Sequence, residues 1–424
     1  MIRAVLFSPV ARRLAHSSLG FHAAFAGLGP LERATLPDRP VPPRTIETGA
    51  TLSDFDCIFV SMAWEPELLG LAKALRSSGL HPTRASRPPT EPLIIGGGPV
   101  TLSNPHLLAA VCDAVFVGEA DHAFGALRDA IEGARDREDA LLRLAKVPGA
   151  FVPAVSGEDA PPIVRAPLDF LPACTTLKDE PNEFGDAFLV EVGRGCPRAC
   201  TFCVSSGLKP RFVAAEKVLA AVPEGVRRVG LVGAAVSDHP RLLAMVETFV
   251  ARGCSVTTSS VRADRITPEL LRLLAASGLR TLTVAADGPS EALRQALRKS
   301  VSAEDLERCA DLAREARIMR LKIYVMVGLP GETGADILEL GALVRRLSTR
   351  VRVALSVSPF VPKQNTPLAS APFAGVRDLK RRLSELRRAV GSAAAIRVTS
   401  PRVAELEYRL SHARGEELAR HLQT

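Results

Sequence analysis

Gly193-Arg194-Gly195-Cys196-Pro197-Arg198-Ala199-Cys200-Thr201-Phe202-Cys203 is the stretch that decides the reading of this chain. The spacing C-x-x-x-C-x-x-C can set three thiolates on three irons of a cubane cluster. Iron–sulfur clusters are normally held by four cysteine thiolates. A tight set of three therefore implies a fourth iron open to a substrate or cosubstrate, as open zinc positions are in catalytic sites. Structural zinc is the bland alternative. It asks for a fourth nitrogen or sulfur ligand, usually in a second paired motif. No such pair is present, and His239 stands alone in the stretch that follows.

Working outward, residues 187–370 alternate short apolar runs with helical patterns. Strands are expected at 188–192, 228–232, 255–259, 281–285, 322–327 and 352–357, with helices at 241–252, 268–276, 303–316 and 335–347. Six such units fall short of an eight-stranded barrel. In the fifth strand, Ile323, Val325 and Val327 alternate with Lys322, Tyr324 and Met326, which predicts that the second set faces the barrel interior. Lys322 and Tyr324 are the candidate catalytic residues, with a polar plug in a barrel layer as the alternative.

Residues 1–150 alternate in the same way, with strands expected at 2–7, 57–61, 93–95 and 114–117 and a crossover helix at 66–75. An open parallel sheet binds ligands at the carboxyl ends of its strands. Gly96-Gly97-Gly98-Pro99 and Gly118-Glu119 stand there. Those glycines let a ligand approach the backbone or merely make tight turns. Residues 151–186 are rich in proline and acids and are expected to be a linker. Residues 371–424 are expected to form a helical extension.

The whole chain of 424 residues fits two or three domains. Aromatic residues make up only 4%, so the core must be aliphatic, which suits buried parallel strands under helices. No apolar run approaches the roughly 18 residues of a membrane span. The early arginines Arg3, Arg12 and Arg13 resemble those of a transit peptide, but an opening strand and helix account for them better. Cys57, Cys112, Cys254 and Cys309 lie in apolar periodic segments and are expected to be buried; Cys174 falls in the linker. Free thiols beside an oxygen-sensitive cluster indicate a reducing cytoplasm. The net charge of +8 permits an anionic partner without demonstrating one. Arg377, Lys380, Arg381, Arg387 and Arg388 surround the apolar stripe of Leu379, Leu383, Leu386 and Val390. A solvated helix face is favoured there over nucleic-acid binding.

The cysteine run, with Phe202 before its last cysteine, resembles the signature of the radical S-adenosylmethionine (SAM) enzymes. Further stretches make the chain similar to the cobalamin-domain-containing class of that superfamily, in an uncharacterised branch. They are residues 231–240, 259–264, 328–333 and 359–367, with Trp64-Glu65, Gly96 to Pro99, Asn104-Pro105 and Gly118-Glu119. The resemblance implies an α/β fold, with an N-terminal Rossmann-like open parallel sheet of cobalamin-binding type followed by a partial (β/α)6 barrel. It implies a [4Fe–4S] cluster on Cys196, Cys200 and Cys203 whose unique iron is chelated by SAM. Gly233 and Ala234 would leave room for the methionyl group, with Ser237 or Asp238 replacing an acid that Ala235 lacks. Ser260 and Arg262 would meet the SAM carboxylate, Arg262 bidentately. Phe202, Gly328, Pro330 and Gly331 would meet adenine, and Asp287 a ribose hydroxyl.

By the same resemblance the N-terminal domain would hold cobalamin, with Gly96, Gly97, Gly98, Gly118 and Glu119 near it. The cobalt-ligating pattern D-x-H-x-x-G is absent; Ser8, His16 and Ser17-Ser18-Leu19-Gly20 follow the first strand. Members of the class also lack that histidine, so the cofactor stays open. The implied reaction is methyl transfer to an unactivated carbon. Alternatives are a cobalamin-independent rearrangement or cyclisation, RNA methylthiolation, which the cysteine positions disfavour, and a non-catalytic iron–sulfur sensor, which the SAM-facing turns disfavour. A flavodoxin or ferredoxin would supply electrons. Lys363 and Glu65 are further pocket candidates, and no residue defines the substrate.

Overall fold

The computed structural model describes residues 2–177 and 180–423. The chain divides into two compact units, Met1–Asp186 with Arg409–Thr424, and Ala187–Tyr408. Among the described residues no helix is long and apolar enough to cross a membrane.

The first unit is built on β1 (Ala4–Ala11), β2 (Glu32–Leu36), β3 (Cys57–Ser61), β4 (Leu93–Gly97), β5 (Ala114–Phe116) and β6 (Ala150–Phe151). Their order is β2-β1-β3-β4-β5-β6, parallel throughout except for β6. In β1 every residue from Ala4 to Ser8 is buried, as expected of a central strand covered on both faces. Helices Leu19–Gly27 and Phe124–Glu132 pack Phe21 and Leu127 with Leu6, Phe59 and Ile95 in one core. Cys57 and Cys112 are buried, as is Cys309 in the other unit, where burial pushes each thiol far up from its ordinary range.

β2 was not foreseen, because its Glu32 and Arg33 suit a sheet edge. The stretch 151–186, expected to be a linker, packs on this unit: Val164 bridges Gly118, and Glu180 pairs with Arg12 at 2.5 Å and Arg33 at 3.4 Å.

The second unit contains β7 (Phe188–Arg194), β8 (Arg211–Phe212), β9 (Arg228–Gly233), β10 (Ser255–Thr258), β11 (Thr281–Asp287), β12 (Arg320–Val327), β13 (Arg352–Pro359) and β14 (Ala394–Val398). β8-β7-β9-β10 and β11-β12-β13-β14 form two sheets, joined by a parallel bridge between Val261 and Val284. The result is a partial barrel whose outer face is covered by helices Ala303–Glu315, Gly334–Ser348 and Val376–Val390. Its parallel strands extend past the expected six: β14 pairs in parallel with β13, so residues 371–424 are not a purely helical extension. Alanines at 393–395 have little intrinsic strand preference. Pairing with the open edge of β13 decides their conformation.

Buried His16 sits 3.4 Å from Glu180, and burial holds its pKa down to about 4. The folded state therefore binds fewer protons than the unfolded state between pH 6.5 and 4, so stability falls as pH drops through that window. Glu180, lowered by its arginine and histidine neighbours, adds to the loss in acid. Urea midpoints measured from pH 7 to 4 should fall steadily, and less steeply for His16→Gln.

Candidate active site

The cysteine loop is closed by its own stem. β8 pairs antiparallel with Gly193 and Arg194 at the end of β7, and Cys196 N–H donates to Leu208 O at 3.2 Å. A side chain at Gly193 would come 2.7 Å from Arg211 O. One at Gly195, where φ is +72°, would come 2.6 Å from Leu208 O and 2.7 Å from Lys209 O. Both positions require glycine, because backbone meets backbone there. Two further contacts clamp the loop: Thr201 N–H donates to Leu297 O at 3.1 Å, and Leu368 N–H donates to Thr201 O at 3.2 Å. Phe202 packs beside Leu293, Leu297, Leu329 and Phe360, together with Met326 and Leu368.

Cys200 is buried, and Cys196 and Cys203 are half-buried. Burial raises the thiols of Cys196 and Cys200, and the neighbouring Cys203 adds to the effect on each. Among the described residues no three or more Cys, His, Asp or Glu side chains converge on a single ion. A cubane asks for something else, one thiolate per iron around a volume, and a closed loop that carries three free cysteines fits that demand. Loading displaces the thiol protons. Lys299 and Arg262 lie near enough to Cys200 to oppose the effect of burial, and positive charge there favours an electron-rich cluster.

The turns after successive strands surround this loop, and their polar side chains mostly hold one another. After β9, Gly233 lies against β7, with its would-be Cβ 3.0 Å from Gly193 O. Ala234 and Ala235 follow, and Ser237 Oγ accepts from Arg262 N–H at 3.1 Å. Asp238 pairs with Arg198 of the cysteine loop and lies 3.5 Å from Arg265, so it braces the loop. His239 is structural: its Nε2 lies 2.9 Å from Val213 O, and its Nδ1 accepts from Arg241 N–H.

After β10, Ser260 is exposed. Arg262 differs from expectation. Its guanidinium makes a bidentate pair with Asp264 at 2.9 and 3.1 Å and donates to Lys299 O and Ser300 O. It is a strut between two turns, and its Nη1 takes no part in these bonds. Asp287 closes β11 at φ +63° and pairs with Lys299 Nζ at 2.6 Å. Buried Arg294 binds that turn from behind, donating to Val301 O at 2.6 Å and to Gly288 O at 3.3 Å.

After β12, Glu332 accepts from Gly328 N–H at 2.9 Å and Leu329 N–H at 3.3 Å, and pairs with Arg382 at 2.7 Å. Gly328 packs on Leu379, while Pro330 and Gly331 are exposed and Gly331 has nothing within 4 Å of a would-be Cβ. Arg294 and Lys299 were not legible as site residues, because each binds backbone or an ion partner brought in by the fold. Asp238 was legible only as a stand-in for the acid missing at Ala235, and Arg198 and Glu332 lay inside quoted runs with no role assigned.

On β12 the expected alternation holds: Leu321, Ile323, Val325 and Val327 are buried, and Lys322, Tyr324 and Met326 take the other face. Lys363 pairs with Glu407 at 2.7 Å. In the first unit, Gly96 packs on Cys112, Gly98 on the Met62 backbone, and Gly118 on the Val164 backbone, each nearer than a side chain could tolerate. Glu119 accepts from Ala166 N–H at 2.9 Å, and Glu65 accepts from Ser411 Oγ at 3.1 Å. Gly97, by contrast, has only ordinary contacts. These glycines chiefly admit the chain's own backbone and core.

Residues 190–344 match the family model described as "Radical SAM superfamily", and residues 29–153 match "Radical SAM proteins, N-terminal". The chain belongs to the radical SAM superfamily. An uncharacterized protein of Methanocaldococcus jannaschii is 28% identical over 338 residues, covering 77% of this chain and 71% of that protein. Among solved structures, the cobalamin-dependent S-adenosylmethionine radical enzyme OxsB, with aqua-cobalamin and S-adenosylmethionine bound, is similar at TM-score 0.55 and 13% identity. That likeness covers 93% of this chain and 57% of OxsB, so the chain spans little more than half of that enzyme's length. The apo form of OxsB gives TM-score 0.54 at 14% identity, over 83% of this chain and 53% of that one. A Rossmann-like sheet and a partial barrel are the shared fold.

Gly195→Ala should cut iron and sulfide uptake on anaerobic reconstitution severely, because the loop must open to admit the methyl group. Gly331→Ala, strained only by its φ of +77°, should keep full uptake and lose on the order of 1 kcal/mol of stability. Removing Glu332 as Glu332→Ala leaves Arg382 without that carboxylate and two turn amides without an acceptor. SAM affinity, measured by equilibrium dialysis, should fall about tenfold.

Proposed function

We propose that this protein reductively cleaves S-adenosylmethionine and uses the resulting 5′-deoxyadenosyl radical on an unactivated carbon–hydrogen bond of its substrate. The observation that carries this reading is the closed loop that presents Cys196, Cys200 and Cys203 together, clamped by main-chain bonds to Leu208, Leu297 and Leu368. Cys196, Cys200 and Cys203 would hold a [4Fe–4S] cluster, which supplies one electron to break the sulfonium bond. The chain's own residues hold the reactants. Gly233 and Ala234 leave space for the methionyl end, and Ser260 and the free edge of Arg262 lie beside it. Phe202 and the exposed Pro330–Gly331 turn offer a flat apolar rest for adenine, and Asp287, fixed by Lys299, an acceptor for ribose. The aliphatic wall around Phe202, Met326 and Leu329 keeps water from the radical. Lys322 and Tyr324 face the substrate space, and a small one-electron carrier protein such as a flavodoxin or ferredoxin would supply the reductant.

A narrower reading is methyl transfer from cobalamin held by the first unit. It is supported by the strand order β2-β1-β3-β4-β5, whose switch point between β1 and β3 is where such sheets bind ligands. The fold shared with OxsB, described as cobalamin-dependent, supports it too. Of the glycines considered for it, Gly97 is the one whose would-be Cβ meets only ordinary contacts, with Phe116.

Dithionite-reduced wild type should convert SAM to methionine and 5′-deoxyadenosine, and Cys200→Ala should not. Wild type with a full cluster and no cleavage would sink the reading. Protein made anaerobically in cells given hydroxocobalamin should carry cobalt near one per four irons if the narrower reading is right. Cobalt-free protein with its cluster intact would leave hydrogen abstraction alone.

A further inference from the structure

One wall of the barrel carries positive charge that no carboxylate among the described residues neutralises. Residues paired across parallel strands point to the same face. Lys322 stands beside Ala354 and Ala354 beside Ala395; Tyr324 stands beside Ser356 and Ser356 beside Arg397; Met326 stands beside Ser358. The opposite residues of β12 and β13 are buried under the helices, so the half-buried Lys322, Tyr324 and Ser356 and the exposed Arg397 at the edge strand share one face. The alanines beside Lys322 leave its row uncrowded.

Lys322 Nζ lies 4.8 Å from the Tyr324 ring centre and donates to its hydroxyl at 3.3 Å. Tyr324 lies nearer the carboxyl end of β12, so this contact turns the ammonium toward the end where the cysteine loop sits. Among the described residues no carboxylate lies within ion-pairing distance of Lys322 or Arg397. The neighbouring cations differ: Lys299 pairs with Asp287, Lys363 with Glu407, and Arg382 with Glu332. A half-buried ammonium without a counter-ion is unfavourable, and the contrast with its paired neighbours marks Lys322 as awaiting an external anion. Two strand spacings, about 10 Å, separate β12 from β14, and the long lysine and arginine side chains can reach one group from both sides.

Resting on the reading that the barrel holds the substrate, we propose that the substrate carries a carboxylate or phosphate, bound between Lys322 and Arg397 with Tyr324 and Ser356 as hydroxyl partners. The anchored anion fixes the substrate so that its reacting carbon points toward the cysteine loop. Lys322 and Arg397 are thus specificity-determining residues, and the substrate class is a small organic acid or phosphate ester.

The same strands offer an internal control. Arg320, Arg345, Arg352 and Arg388 line an open cleft of about 780 Å³ at their amino ends, away from the cysteine loop. Full-length protein, reconstituted anaerobically and saturated with SAM, is titrated calorimetrically with pyrophosphate and separately with glutarate. Saturation with SAM removes that molecule's own carboxylate as the occupant. Saturable one-to-one binding of at least one probe is expected. It should weaken about tenfold or more in Lys322→Gln and in Arg397→Gln, survive in Lys322→Arg, and stay unchanged in Arg388→Gln. Preference for pyrophosphate or for glutarate separates the phosphate from the carboxylate source. Absence of saturable binding, binding unaffected by both glutamine variants, or loss in Arg388→Gln overturns the proposal. SAM cleavage by the same wild-type preparation is scored separately. Its failure would count against the enzymatic reading and leave the titration to be judged by itself.

Discussion

The close return of backbone on backbone at the end of β7 is the constraint on which the site depends. Gly193 and Gly195 let residues 208–212 lie against the strand, and that contact closes the cysteine loop. Without closure, three thiols on a surface loop would be separated by their own chain entropy. With it, the three cysteines are held on one clamped loop. The loop is then held on two sides by main-chain bonds to Leu297 and Leu368, so its geometry follows from the barrel and not from the loop's own preferences.

Around the loop the fold uses charge to stiffen turns. Arg294, fully buried, gives its hydrogen bonds to carbonyls of the turn after β11 and of the segment before helix Ala303–Glu315. Its desolvation lowers its pKa, with the Glu291 charge opposing. Burying a guanidinium this way is costly unless its donors are matched; Nε and Nη1 meet carbonyls of Val301, Gly288 and Pro289, while Nη2 has no hydrogen bond and lies 3.7 Å from Glu291. Glu332 does the reverse job after β12, where a carboxylate raised by burial accepts two amides and an arginine. Such matched networks leave few options for the turns they hold. The same logic makes Lys322 stand out, because among the described residues it is half-buried without a carboxylate while Lys299, Lys363 and Arg382 are paired.

Much of this was legible from residue patterns. The alternation in β12 placed Lys322 and Tyr324 on one face correctly, because one side of the strand must be apolar against helices while the other need not be. Strands at 57–61 and 188–192 were legible for a similar reason, being continuous apolar runs in buried parallel sheets. β2 and β14 were not, since edge strands carry charge or alanine and take their conformation from a neighbour. The glycines after β4 and β5 signalled close approach, but only the folded chain reveals that Met62 and Val164 make that approach. Arg262 signalled an anion partner, and the fold supplies Asp264.

By itself, the sequence determined the superfamily, the cysteine run proposed to hold the cluster and the α/β architecture, because these rest on residue type and on spacing along the chain. Tertiary structure alone decided which charges are paired. An ion pair such as Lys299 with Asp287 or Lys363 with Glu407 joins residues 12 to 44 positions apart, and no local periodicity encodes such meetings. The unpaired wall of β12 and β14 is defined by the same long-range bookkeeping, since the absence of a partner becomes visible only when every neighbouring carboxylate has its place.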